Sequence, residues 1–303
     1  MAAAPGATMK VPPWDRHDLV ELLRLEPAGA MRWRTRLGDI NAHGRAYGGQ
    51  ILAQALMAAA ASVPAGRTPT MMQFLFLQGT LHDEAIELQV TALQDGKRFS
   101  SRHVRGAQGA DRQVFDAQVS FALPLDAPAH GVAPGFVADE DPERLPRPQD
   151  LPAGELAAAH RVLGYELPER AMLDFRIPPQ PGGLALDPAD PHLRFWLRLT
   201  QAMPDDEVLH AAAFAYLSDW WLNYPAPGAH LRELDGRGRL YVASLNHAIW
   251  LHHPVRVDRW LHFDSRSPAA AGGRGLSVAR VHDRAGRLVA SATQECLMAL
   301  RDG

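Results

Sequence analysis

The sequence predicts an α+β fold built from two antiparallel β-sheets, each curled around one long helix. Three observations carry that expectation. Residues 51–62 form a segment that is apolar on nearly all sides and too short to span a membrane, so the domain that contains it has to wrap it. Four runs that read as strands follow it. The same order, a helix and then four strand-like runs, returns in the second half of the chain.

Taken in order, residues 18–25 read as a short helix after a disordered-looking leader, and residues 31–37 alternate like a strand. Gly44-Arg45-Ala46-Tyr47-Gly48-Gly49-Gln50 then reads as a glycine-bearing turn into the buried helix, whose only polar members are Gln54 and Ser62. The strands expected around it are residues 70–77, 86–94, 98–106 and 113–123, with turns at Asp95-Gly96 and Gly109-Ala110-Asp111. Recurrent prolines and an acid cluster at residues 139–143 mark 124–168 as a linker holding one short helix, 154–163. The chain thus divides into an N-terminal domain (14–123), the linker and a C-terminal domain (169–303). In that last part, residues 171–176 and 193–199 read as strands, 204–223 as a helix, and 240–251, 259–266, 275–283 and 287–300 as strands. Short internal matches support duplication. Arg112, Val114 and Ala117 align with Arg287, Val289 and Ala292, and Ser100 and Val104 align with Ser277 and Val281 across a shorter turn.

With 303 residues the chain suits one large domain or two of about 120 residues each. A net charge of -3 gives no electrostatic footprint for nucleic acid. Lysine occurs only at Lys10 and Lys97, so the basic residues are nearly all arginines, whose forks suit phosphates and carboxylates. The lone Cys296 excludes a disulfide framework within the chain and a cysteine-only zinc site. Together with the lack of a secretory pattern over residues 1–13, it points to the cytoplasm. No apolar run reaches the ~18 residues of a membrane span. GxSxG, Walker A and GxGxxG signatures are absent. His247, His252 and His253 are tempting metal ligands, but His247 and His253 on one strand face would stand about 20 Å apart, and no metal site is expected.

Three polar residues interrupt apolar patterns. Val208, Ala212, Ala215, Asp219 and Leu222 recur at steps of four and three, which sets the Asp219 carboxylate on the apolar stripe of the 204–223 helix. A carboxylate there needs donors or a use. In the last strand, alternation puts Gln294 on one face with Leu288, Ala290, Ala292, Cys296 and Met298, where its amide needs partners. Ser244 and Asn246 share a face with Val242, Ala248 and Trp250, a face that is either solvated or part of a site.

Four scattered pieces, Gly44 through Gln50, Tyr216-Leu217-Ser218-Asp219, Asn246-His247-Ala248-Ile249-Trp250-Leu251-His252 and Ala290-Ser291-Ala292-Thr293-Gln294-Glu295, resemble the acyl-CoA thioesterase II family. The resemblance runs from about Met31 to the C-terminus and is loosest in the linker. It implies a double-hotdog fold and hydrolysis of acyl-CoA to free fatty acid and CoA by an activated water, with no cofactor or metal. The family's catalytic triplet falls on Asp219, Ser244 and Gln294. Gly48, Gly49, Trp220, Asn246 and His247 are the substrate-binding candidates. Backbone N–H groups near Gly48 and Gly49 suit an oxyanion, arginines suit the CoA phosphates, and Trp220 with Trp221 suits the core or the wall of an acyl pocket. The resemblance also implies pairing into a homo-oligomer, a dimer or tetramer, while the charge and the lack of a long apolar run give no nucleic-acid or membrane partner.

Departures from the family pattern bear on substrate preference. Ser244 stands where threonine is frequent, Asn246 replaces a frequent aspartate, Leu77-Gln78-Gly79 replaces Arg-Pro-Gly, and the Trp220-Trp221 pair is unusual. The rival readings are a non-catalytic acyl-CoA-binding protein and a hotdog hydratase or dehydratase, whose Asp and His motif is not found.

Overall fold

Helix α1 (Leu19–Leu23) is shorter than its pattern, and the reason is local. Asp18 caps it by accepting from the Glu21 N–H at 3.2 Å. Pro27 then disfavours helical backbone at Glu26, so the chain turns instead into a hairpin of β1 (Leu25–Gly29) and β2 (Arg32–Thr35), in which Leu25 pairs with Thr35. The computed structural model describes residues 8–136, 140–164 and 170–301. The start of the leader, Asp139 of the linker acid cluster, the linker's end at Pro168 and the last two residues lie outside them.

The described chain forms two compact units, Met1–Pro128 with Pro204–Asp219 and Ala248–Leu251, and Ala129–Met203 with Trp220–His247 and His252–Gly303. In the first, α2 (Gly48–Ala60) is the buried helix, and it starts three residues earlier than its apolar run, so that Gly48 and Gly49 form its first turn. Leu52, Ala53, Ala55, Ala58 and Ala59 are shut off from solvent. Strands β3 (Thr68–Phe76), β4 (Glu87–Asp95), β5 (Phe99–Gln108) and β6 (Arg112–Ala122) form an antiparallel sheet around it, in the order β1-β2-β4-β5-β6-β3.

The second unit holds α3 (Ala153–Leu163) of the linker, β7 (Leu173–Arg176) and β8 (His192–Leu199). In chain order, α4 (Glu207–Ser218) follows but packs in the first unit; α5 (Pro225–Gly228) and α6 (Leu231–Leu234) are single turns. Strands β9 (Arg239–Leu251), β10 (Leu261–Ala271), β11 (Arg274–Asp283) and β12 (Leu288–Arg301) complete an antiparallel run β9-β12-β11-β10-β8-β7. Both units therefore share one topology. The strand after each helix, β3 or β9, pairs with the last strand, β6 or β12, and the meander then runs out to the strand that precedes the helix. The internal matches fall on equivalent strands, except that Arg287 just precedes β12, and apart from the arginines all of their positions, such as Ser100 and Ser277 or Val104 and Val281, are buried.

Helix α4 corrects the expectation of a helix over residues 204–223. Asp206 caps its start, accepting from the Leu209 N–H at 3.0 Å. Its end is Ser218, whose hydroxyl folds back to the Ala215 carbonyl at 2.9 Å, and Trp221 has left the helix with φ at 63°. Asp219 is therefore the residue that closes the helix, not a member of its mid-helix stripe.

Helices α2 and α4 pack on one another through polar as well as apolar groups. The Tyr47 hydroxyl donates to the Tyr216 carbonyl at 3.1 Å, and the Tyr216 hydroxyl donates to Asp39 Oδ2 at 2.9 Å. The Asp39 N–H donates to Gln50 Oε1 at 2.6 Å, Gln50 Nε2 to Gln54 Oε1 at 3.0 Å, and Gln54 Nε2 to the Leu22 carbonyl at 2.8 Å. The polar Gln54 on an apolar helix is thus a satisfied core group.

Among the described residues no helix is long and apolar enough to cross a membrane. His247 on β9 and His262 on β10 are buried, and desolvation pulls both down to about 3. Since these folded values lie below the unfolded value near 6.5, the unfolded chain binds protons that the folded chain refuses. Stability is then fully present above about pH 6.5 and lost as pH falls towards 3, by up to about 1.4 kcal/mol per pH unit for each histidine. Thermal unfolding from pH 8 to pH 4 should show this fall, with a shallower slope in His262→Gln; an identical slope in the variant refutes the assignment.

Candidate active site

Asp219 lies where two helix ends meet. A methyl group at Gly48 would stand 2.6 Å from Asp219 Oδ2 and 3.2 Å from the Phe76 ring, and one at Gly49 would strike the Tyr216 carbonyl oxygen. Only glycine leaves the first turn of α2 open to that approach. That turn has no acidic residue, and its capping position, Tyr47, makes no side-chain cap. Its N–H groups have no partner within the helix, and its positive end favours an anion. The half-buried Asp219 carboxylate supplies one, although it follows the C-terminus of α4, where a negative charge is otherwise disfavoured.

Ser244 and Gln294 form a second set, on β9 and β12. Gln294 is 0% exposed, on a face with Ala290, Ala292 and Cys296, as period two requires. Its Nε2 donates to Ser244 Oγ at 2.8 Å. Ser244 serves there as acceptor, and its own O–H remains a donor. The expected sharing of one face by Ser244 and Asn246 does not hold. Asn246 Nδ2 donates to Glu295 Oε2 at 2.8 Å, and Glu295 points to the opposite face of β12 from Gln294. Burial along β9 changes phase to match, from Leu240 and Val242 to His247 and Ile249. Irregularities of this kind re-aim side chains beside active sites.

The other candidates are placed as follows. Gly48 and Gly49 form the first turn of α2. Trp220 is buried, with the Arg170 guanidinium 5.4 Å from its ring centroid. Trp221 holds a backbone conformation that bulky residues rarely adopt, with its ring stacked on Tyr224 at 4.7 Å and tilted on Phe175 at 4.9 Å. His247 is 1% exposed and neutral over the physiological range. Among the described residues no group of three or more His, Cys, Asp or Glu side chains is placed to hold a metal ion. Sequence reasoning passed over Tyr47 and Tyr216 as site neighbours, although both lie in motifs that it quoted.

Two family models match the chain. One described as the acyl-CoA thioesterase N-terminal domain matches residues 37–122, and one described as the acyl-CoA thioesterase C-terminal domain matches residues 139–298. The chain is 27% identical over 294 residues to mouse (Mus musculus) acyl-coenzyme A thioesterase 8, covering 93% of this chain and 89% of that one. Among solved structures it is similar to acyl-CoA thioesterase II TesB2 from Mycobacterium marinum, with a TM-score of 0.72, 29% identity, and coverage of 94% of this chain and 99% of that one. A protein with a hot dog fold from Alicyclobacillus acidocaldarius matches with a TM-score of 0.68 over 92% of this chain and 97% of that one, a likeness of fold alone at 17% identity.

Cys296 reports on the face that carries Gln294. It is fully buried, and desolvation pushes its thiol up to about 12. The native protein should therefore stay unreactive towards a disulfide-based thiol reagent at pH 8 and yield one thiol per chain once denatured. Rapid reaction of the native protein would show that this face opens.

Proposed function

The chain belongs to the acyl-CoA thioesterase family and hydrolyses acyl-CoA thioesters, and on that premise we propose that Asp219, Ser244 and Gln294 carry the reaction. Water attacks the thioester carbonyl carbon while Asp219 withdraws its proton, and Ser244 and Gln294 hold the water by hydrogen bonds. The C–S bond of the tetrahedral intermediate then breaks. Its electron pair leaves on sulfur, and the proton held by Asp219 passes to that thiolate, giving free fatty acid and CoA. The observation that carries this reading is the 2.8 Å bond from the buried Gln294 to the half-buried Ser244, on a face of small apolar residues. A lone amide there has a use, and positioning water is one that its donor and acceptor fit.

The oxyanion donors in this reading are N–H groups of the first turn of α2. The attacking oxygen and the carbonyl oxygen end on the same carbon, so base and donors have to converge on one point within about 3–3.5 Å. The approach of Asp219 to Gly48 supports that convergence. Arginines at the mouth bind the CoA phosphates, and Trp220, Asn246 and His247 shape the substrate site. The reaction as written needs only water as co-substrate of the acyl-CoA.

We read the fold as a double hotdog, residues 14–123 and 169–303 joined by the 124–168 linker, supported by the topology that β1–β6 and β7–β12 share. Assembly into a dimer or tetramer and a cytoplasmic location complete the reading. A hydratase or a mere binding protein is not favoured, because both matching domain models describe thioesterases.

Release of free thiol from acyl-CoAs, acetyl through palmitoyl, tests the assignment. Asp219→Asn should lower turnover by about a hundredfold or more, in the range of a lost general base, while the fold survives. Unchanged turnover in this variant would remove Asp219 from the mechanism. Gly48→Ala should improve the helix propensity of α2 by up to about 1 kcal/mol yet lower kcat at least tenfold, because its methyl displaces the carboxylate. Wild-type kcat in a folded Gly48→Ala protein would contradict the proposed geometry.

A further inference from the structure

We infer that Tyr47 and Tyr216 are positioning residues for the proposed base, Asp219, an inference that rests on the reading of that residue given above. Two observations converge on it. Tyr216 sits in the last turn of α4, one turn before Asp219. The Tyr47 hydroxyl, from the residue that opens α2, donates to the Tyr216 carbonyl at 3.1 Å. The last turn of α4 is thereby tied to the first turn of α2, the turn over which the Asp219 carboxylate lies.

The second tie runs through the side chain. The Tyr216 hydroxyl donates to Asp39 Oδ2 at 2.9 Å, and Asp39 is itself held from two sides. Its N–H donates to Gln50 Oε1 at 2.6 Å, and Arg16 Nε donates to its Oδ1 at 3.3 Å. Gln50, the third residue of α2, belongs to its first turn. The end of α4 is thus tied to the start of α2 by two routes, one direct and one through Asp39, which together restrict its movement more than either does alone. Ring contacts close the arrangement, with Tyr47 edge-on to Tyr216 at 4.9 Å and Trp14 edge-on at 6.0 Å. The hydroxyls are the informative part. Phenylalanine would satisfy the same packing, so the bonds they make are specific to alignment, and a base displaced by about 1 Å loses up to a hundredfold in rate.

The test is a cycle of Tyr47→Phe and Asp219→Asn, with kcat and KM read from thiol release and folding from thermal unfolding. Tyr47→Phe should lower kcat about tenfold with KM little changed, and should have no further effect in the Asp219→Asn background. Tyr216→Phe, which breaks the other tie, should lower kcat in the same way. An unchanged kcat in Tyr47→Phe overturns the inference, as does an equal loss in both backgrounds, which would mean that the hydroxyl acts on the fold and not through Asp219. Where the residual rate of the Asp219→Asn background is too low to read, the kcat-against-KM split decides, and a loss carried by KM overturns the inference. Full activity of Asp219→Asn alone sinks the underlying reading, whatever Tyr47→Phe does, so the two failures are distinct.

Discussion

The end of α4 and the start of α2 meet with no space for a side chain between them, and much of the first unit follows from that. Gly48 and Gly49 each weaken a helix by up to about 1 kcal/mol relative to alanine, yet any Cβ there would meet Asp219 or the Tyr216 carbonyl. A helix as buried as α2 has no room to carry charged caps of its own. Other elements supply them. Asp219 stands at its positive end, and at the other end the buried Arg102 donates to the Ser62 carbonyl at 3.0 Å while pairing with Asp95 at 2.8 Å. Both charges have the sign that the helix dipole favours.

The second unit solves a different problem, an amide inside a sheet. Gln294 loses its hydration on a face where Ala292 and Cys296 offer nothing polar, and an unsatisfied amide there would cost about 1–3 kcal/mol. Ser244 offsets part of this through the 2.8 Å bond. The phase change in β9 makes that possible, because it lets Ser244 and Asn246 serve opposite faces of β12 instead of crowding one. A strictly alternating strand would have sent both to the same side.

How far the sequence speaks depends on the range of the forces involved. Gln294 was legible because strand alternation is a local geometric rule, and β12 obeys it from Ala290 to Cys296. The buried helix and the shared order of elements were legible for the same reason. Asp219 was found by a periodicity that the structure ends one residue earlier. The stop lies in the Ser218 back-bond and in a positive φ at Trp221, a residue type with no tendency towards that conformation. The shared face of Ser244 and Asn246 failed because strand phase is set by the partner strand. Tyr47 and Tyr216 were invisible as a pair because 169 residues separate them, and no local rule connects a hydroxyl to a carbonyl at that distance in sequence.

In the proposed mechanism, the junction of the helices also governs how charge moves. Before attack the negative charge resides on Asp219. As the carboxylate takes the proton of the water it becomes neutral, and the thioester carbonyl oxygen becomes negative in the same step. The net charge before the first turn of α2 is unchanged, and it shifts by only a few ångströms from one oxygen to another. Dipoles already oriented to hold a carboxylate need little reorganisation to hold an oxyanion beside it, the condition under which electrostatic stabilisation is most effective. When the C–S bond breaks, the oxyanion collapses, and the proton passes from Asp219 to the departing thiolate. The carboxylate is then restored at the positive end of α2, where Gly48 leaves space for it.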